Sequence, residues 1–194
     1  MRALLMAMVM AVAMPAFAES ELNKSDAEKT EAAKPVPDPV MFESKHTGTF
    51  GNTKVAYTVE AGETYIKGED GEPAASLFTT SYVADKAGSA RPVTFVFNGG
   101  PGSASVWLHM GLLGPKRAQV ASGADADDGA APYTLVDNPL SILDVTDLVF
   151  IDPVGTGYSR AIGEGENKDY WSAAGDTASI SEFIRIWITT HKRW

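Results

Sequence analysis

The apolar and polar positions of this 194-residue chain change rhythm several times from one end to the other. Residues 3–14 form one apolar block, led by Met1-Arg2 and followed by Pro15-Ala16-Phe17-Ala18. Residues 19–40 are rich in Lys, Glu, Ala and Pro and hold too few apolar side chains to bury themselves, so they predict a disordered linker. From residue 45 to 85, β-prone runs alternate with turn residues. Val55-Ala56-Tyr57-Thr58-Val59 has the two-residue period of a half-buried strand. Thr49-Phe50-Gly51-Asn52-Thr53-Lys54, Ala61-Gly62-Glu63 and Gly68-Glu69-Asp70-Gly71 read as turns, and residues 75–83 as a further strand.

The pattern then changes. Pro92-Val93-Thr94-Phe95-Val96-Phe97 and Asp147-Leu148-Val149-Phe150-Ile151-Asp152 are nearly continuous apolar runs. Such runs suit parallel strands covered on both faces. Residues 103–113 predict a short helix closed by Gly114-Pro115. Residues 171–191 predict an amphipathic helix. Ile180, Phe183, Ile184, Trp187 and Ile188 recur at helical spacing, with Asp176 and Thr177 near the start. Antiparallel strands, a parallel strand, a helix, a second parallel strand and a helix make the opening half of an α/β fold. Ligands of such sheets bind where loops leave the carboxyl ends of the strands. Both apolar strands here run into glycine-rich loops.

The N-terminal block narrows the compartment. A positive start, an apolar core too short to span a bilayer and an Ala16-x-Ala18 site are the parts of a secretory signal peptide over residues 1–18. The expected location is periplasmic or extracellular, with no membrane anchor after cleavage. Oxidising compartments permit disulfides, but the chain has no cysteine. Thiolate metal sites and cysteine catalysis are excluded with them. The formal charge is −9, from 16 basic and 25 acidic residues. Such an acidic balance argues against a nucleic-acid partner.

The first glycine loop, Asn98-Gly99-Gly100-Pro101-Gly102, carries the clearest chemistry. Glycines let the backbone turn sharply and approach a ligand. Backbone N–H groups exposed there can face a developing oxyanion. A phosphate site fits less well: Pro101 has no N–H to offer, and neither G-x-G-x-x-G nor a Walker sequence is present. An α/β-hydrolase would place its nucleophile on a G-x-S-x-G elbow joining a strand directly to a helix. The nearest segment, Gly157-Tyr158-Ser159-Arg160-Ala161, follows its strand by several residues and precedes Gly163 and Gly165, so Ser159 is a poor nucleophile. The histidines supply no general base. His46 precedes the fold, His109 reads as packed or hydrogen-bonded, and His191 as a partner for a helix C-terminal dipole. Asp125-x-Asp127-Asp128-Gly129 holds part of a calcium-loop spacing, but Gly129, Ala130 and Val136 stand where the template wants an oxygen ligand, glycine and glutamate. A solvated loop accounts for it better, and no metal or organic cofactor is implied.

Four segments in order resemble the serine carboxypeptidases, peptidase family S10. They are Asn98-Gly99-Gly100-Pro101-Gly102-Ser103-Ala104-Ser105, then Gly114-Pro115, Asn138-Pro139-Leu140-Ser141, and Asp152-Pro153-Val154-Gly155-Thr156-Gly157-Tyr158-Ser159. The resemblance implies an α/β-hydrolase fold over residues 41–194 and acyl-enzyme release of C-terminal residues from peptides. It implies that Gly100 donates its N–H to an oxyanion hole. Asn98 and the Gly99 N–H would bind a peptide's terminal carboxylate, and Tyr158 would stand near the wall of the substrate pocket. Leu112 stands where the family often has a glutamate, and Ser103 where it has a cysteine.

The family's nucleophile segment and the serine, aspartate and histidine of its triad do not occur in these 194 residues. The expectation is an N-terminal portion of such a hydrolase, inactive alone, with a central strand edge left bare. The alternatives are another exported α/β-hydrolase, an esterase or aminopeptidase, or a non-catalytic remnant that binds peptide carboxylates.

Overall fold

The computed structural model describes residues 35–99, 102–120 and 133–194. The signal segment, most of the expected linker, Gly100 and the Asp125–Gly129 loop lie outside the described residues.

Strands β1 (Met41–Phe50), β2 (Thr53–Lys67) and β3 (Pro73–Ala84) form an antiparallel meander. Phe50 pairs with Thr53, leaving the two-residue loop Gly51-Asn52 with Gly51 at φ 54°. Glycine at the first central position of a short hairpin loop supplies that positive angle without strain. The turn expected at 61–63 is absent. β2 runs straight through it, and Gly62 pairs with Met41 on one side and Thr79 on the other. A side chain at Gly62 would collide with the Val40 carbonyl, so the glycine permits close approach of a neighbouring chain. His46 also departs from expectation: it lies within β1, opposite Tyr57, with the ring centroids 5.8 Å apart.

β4 (Val93–Phe97) pairs in parallel with β7 (Asp147–Ile151), and β7 pairs antiparallel with β3. The sheet order is β1-β2-β3-β7-β4, with the short β8 (Arg160–Ala161) beside β3. β5 (Lys116–Ala118) and β6 (Leu135–Asp137) form a separate ribbon that the sequence did not announce. Three residues are too few to display a period.

All five residues of β7 are buried. Val149 and Ile151 join the cluster of Leu77, Ile180, Phe183 and Trp187, while Leu148 and Phe150 join Phe50, Tyr57, Val96 and Leu143. Alternation along one strand thus feeds a core on each face of the sheet. β4 differs from the expected doubly covered strand, because only Val96 is fully buried. Among the described residues no strand pairs with its outer edge. An open apolar edge templates further pairing. The 194-residue polypeptide, expressed alone, is therefore expected to self-associate. Sedimentation as a monomer with one cooperative melt would contradict this.

The long helix α2 spans Ala173–Thr190. Its N-cap is Ser172, whose hydroxyl accepts from the Gly175 N–H at 3.0 Å, within a residue or two of the start expected at Trp171. Trp187 sits edge-on to Phe95 with centroids 5.5 Å apart, and its indole N–H donates to the Ser81 hydroxyl at 3.0 Å. His191 closes the helix as expected of a dipole partner, with Nδ1 2.9 Å from the Trp187 carbonyl. It also reaches β2, with Nε2 2.9 Å from Glu60 Oε2. Both ring nitrogens face acceptors, an arrangement only the imidazolium satisfies.

Candidate active site

The loops after β4 and β7 lie side by side at the carboxyl ends of that parallel pair, where ligands of α/β sheets bind. What joins them is Asp152. Its Oδ1 accepts from the Ser105 N–H at 2.9 Å, and its Oδ2 lies 3.4 Å from the Tyr158 N–H. Ser105 is buried, and its hydroxyl donates to the Ile151 carbonyl while accepting from the Asn98 N–H at 3.3 Å. The end of β7 therefore holds both termini of the glycine loop.

The second loop is fixed as firmly. Ser159 is 0 % exposed. Its hydroxyl donates to the Asp152 carbonyl at 2.6 Å and accepts from the Phe78 N–H at 2.8 Å, pinning the loop to β3. Its proton is committed to a backbone carbonyl and it is closed to a substrate, which agrees with its reading as a poor nucleophile. Arg160 donates to the carbonyls of Ser159 at 2.6 Å, Gly157 at 2.8 Å and Thr156 at 3.2 Å. Gly155 and Gly157 take positive φ, 85° and 49°, which other residues adopt at a cost.

The Asn98 carboxamide turns into its own loop, donating to the Ser103 hydroxyl at 2.7 Å and towards the Ala104 carbonyl at 3.5 Å. Ser103 thus stands at a position where its hydroxyl serves that loop. Gly99 is exposed, with open space where a side chain would project. Tyr158 is 75 % exposed and leans its ring on Phe78, 5.1 Å away. Asn98, Gly99 and Tyr158 all belong to the same pair of loops.

The segment after the glycine loop is not a plain α-helix. One α-helical turn, α1 (Val106–Leu108), passes into a π-helical turn at His109–Leu113. Gly114 ends it, as expected of Gly114-Pro115, in an extended conformation, and its lack of a side chain makes room for the His109 carbonyl. The Asn-Pro-x-Ser segment explains itself here. Asn138 Nδ2 donates to the carbonyls of Leu112 at 2.8 Å and Gly114 at 2.9 Å, and the Ser141 hydroxyl donates to Leu113 at 2.6 Å. Two distant motifs are the two halves of one helix-end clamp.

His109 lies on the inner side of this segment. Its Nε2 is 2.6 Å from the Tyr82 hydroxyl, and its ring stacks on Phe150 with centroids 4.3 Å apart. Burial lowers its pKa from 6.5 to about 4, and burial raises that of Tyr82. His109 is therefore packed and neutral, as the sequence suggested. His191 goes the other way: desolvation, the largest single influence, lowers it, but its bonds to Glu60 and the Trp187 carbonyl together raise it overall, and its bond lowers Glu60.

The two histidines give opposite pH dependences. A depressed histidine pKa means that the unfolded chain takes up the proton first. The His109 contribution is then complete above pH 6.5 and falls away towards pH 4, by about 3 kcal/mol in all. His191, being raised, contributes below its unfolded value and loses that contribution as pH rises through its folded one. Urea titrations from pH 4 to 8 are expected to show the acid-side slope shrink in His109→Gln and the alkaline-side slope shrink in His191→Gln. Unchanged slopes would contradict both assignments.

No group of three or more metal-ligating side chains occurs among the described residues. No helix among them is long and apolar enough to cross a membrane.

A mixed sheet with α2 on one face, and two interlocked glycine loops at the carboxyl ends of its parallel strands, is the layout of an α/β-hydrolase-type domain. Comparison with known proteins makes this specific: residues 52–194 match the serine carboxypeptidase profile, and the chain belongs to that family. It is similar to serine carboxypeptidase-like 16 of Arabidopsis thaliana, 32 % identical over 104 residues. That stretch is 53 % of this chain and 22 % of the plant protein, so the chain spans only a small part of that relative's length.

Sequence reasoning found the loops but not what holds them. Ser105, Asp152, Arg160 and Asn138 had no assigned role. The available signal was a polar side chain at the end of an apolar strand or inside a glycine-rich turn, where backbone groups need partners.

Proposed function

We propose that this chain supplies the oxyanion and carboxylate-recognition loops of an exported serine-type carboxypeptidase, which releases C-terminal residues from peptides through an acyl-enzyme. The observation that carries the reading is the Asp152–Ser105 junction, which rigidly sets the glycine loop at the sheet's carboxyl edge. Fixed donors aimed at developing charge are what acyl transfer requires. In this reading Gly100 donates to the oxyanion, the Gly99 N–H and the Asn98 carboxamide, exchanging its loop partners Ser103 and Ala104 for the ligand, receive the substrate's terminal carboxylate, and Tyr158 borders the pocket. The nucleophile, acid and base lie outside these 194 residues. The segment 1–18 directs export to the periplasm or beyond.

The test is product analysis with the full-length protein. N-blocked dipeptides are expected to release their C-terminal amino acid, and a serine-directed fluorophosphonate to stop the release. Cleavage of esters or of free N-terminal residues alone would overturn the carboxypeptidase reading.

A further inference from the structure

β1 lies at an outer edge of the sheet, and among the described residues no strand pairs with its free side. Residues 41–47 are exposed on both faces of the sheet, with Phe42 68 % exposed. The direction of the peptide groups along that edge follows from its inner pairing. The Glu63 N–H donates to the Val40 carbonyl at 2.9 Å, so residue 40 turns its peptide groups towards β2. Along an antiparallel strand this direction alternates from one residue to the next. Phe42, Ser44 and His46 therefore also turn theirs to β2, while Met41, Glu43, Lys45 and Thr47 hold their N–H and C=O groups out to the open side.

Such a row of open groups is a template for another strand, and the side chains select which strand. Glu43 and Lys45 stand on one face of β1, and neither has an ion-pair partner among the described residues. The residue opposite Glu43 on β2 is Glu60, a like charge. A second β1 running antiparallel can set only odd-numbered residues against odd-numbered ones in hydrogen-bonded pairs, because only those present open groups. A two-fold axis at Glu43 or at Lys45 would put like charges face to face, which is unfavourable. An axis at Phe42 or at His46 would put neither charge against its opposite. An axis at Ser44 puts each Glu43 against Lys45 of the partner subunit. It also puts each Phe42 against His46 of the partner subunit, in the non-hydrogen-bonded pairing where side chains approach most closely. His46 already stacks on Tyr57 with centroids 5.8 Å apart, so the exposed Phe42 ring would leave water for an aromatic neighbour.

We propose that β1 is where two copies of this chain join, their β1 strands pairing antiparallel about a two-fold axis at Ser44 to make one continuous sheet. The same patch serves on both copies, so the contact closes at two and leaves neither β1 edge open. The contact lies across the sheet from β4 and does not depend on the peptidase reading, because no residue given a substrate role there belongs to β1.

The experiment follows full-length protein by sedimentation equilibrium over a dilution series. The parent is expected to dimerise. Lys45→Glu makes both charge pairs repulsive and is expected to weaken the dimer about 10-fold. Combining Glu43→Lys with Lys45→Glu restores opposite charges and is expected to return the dimer to within about 3-fold of the parent. Both side chains are exposed, so these changes leave the core untouched. Cysteine variants test the register. Facing residues of a non-hydrogen-bonded pair lie about 4.5 Å apart at Cα, within reach of a disulfide. The two copies of position 46 would lie four positions out of register, roughly 14 Å apart and beyond that reach. Mild oxidation is therefore expected to link Ser44→Cys into a covalent dimer and to leave His46→Cys unlinked. The parent, oxidised alongside, sets the background, and its residues 1–194 hold no cysteine. A parent that stays monomeric at every concentration overturns the proposal, as it would if another segment of the protein covered β1. A dimer indifferent to Lys45→Glu overturns it by placing the contact on another surface. A double variant no tighter than Lys45→Glu, or linkage at position 46 without linkage at position 44, overturns the register at Ser44.

Discussion

Asp147→Ala is expected to cost about 3 to 5 kcal/mol, the typical loss when one partner of a buried ion pair is removed. Asp147 is 0 % exposed at the start of β7, at the end of the sheet opposite the glycine loops. Its Oδ1 accepts from the Ala84 N–H at 3.0 Å and from Arg91 Nε at 2.8 Å, and its Oδ2 from Arg193 at 2.7 Å. Removing the carboxylate leaves two guanidinium groups, both largely buried, and one backbone donor without their acceptor. Arg193 also donates to the carbonyls of Ser89 and Arg91, so the same cluster ties the segment after α2 to the loop before β4. Total stabilities of single domains are commonly about 5 to 15 kcal/mol. The variant should therefore be largely unfolded at temperatures where the parent is folded. Asp147→Asn, which keeps an acceptor for Ala84 but loses the charge, should fall between the two. Urea unfolding of full-length protein measures both. Equal midpoints for parent and alanine variant would show that the cluster adds nothing.

That cluster also marks where the sequence stopped being legible. The apolar strand beginning at Asp147 was plain from its pattern. Arg91 and Arg193 lie 56 and 46 positions from Asp147, and no local period links residues so far apart. The same holds for Asn138 and the helix end it clamps. Elements with a continuous or repeated pattern were readable, the strands 93–97 and 147–151 and the apolar face of α2, as was the β1–β2 hairpin loop from its Gly51-Asn52 turn residues. Glycines were ambiguous because one residue type serves different needs. Gly51 permits a positive φ in a turn, whereas Gly62 yields space to a neighbouring chain inside a strand. Sequence alone shows the missing side chain and not the reason for it. The candidate site divided in the same way. The loops that carry Asn98, Gly99 and Tyr158 were legible from their glycines and from the resemblance, whereas the Asp152–Ser105 junction that joins them became visible only when the two loops were seen to touch.

The junction of those loops leads to a second large effect, on activity. On the proposed peptidase reading, Gly157→Ala is expected to lower kcat/KM for peptide release by the full-length protein by about 100-fold, the scale on which a 1 Å misplacement of catalytic groups acts. Gly157 has φ 49°, and a β-carbon there would lie 1.9 Å from Asp152 Oδ2, far inside contact distance. The carboxylate would have to leave, and the Ser105 and Tyr158 N–H groups would lose their acceptor. The glycine loop would then be free to shift relative to β7, carrying any oxyanion donor with it. Asp152→Ala should cause a similar loss for the same reason, by deletion instead of eviction. The pair makes a cycle with a specific outcome. Once Asp152 is alanine, the collision at position 157 is gone and only the modest backbone cost of alanine at positive φ remains. The double variant should therefore be nearly as active as Asp152→Ala alone, a strong departure from additivity. If the two losses multiplied instead, Gly157 would be acting on something other than the Asp152 clamp, and the rigid junction would no longer account for the position of the glycine loop.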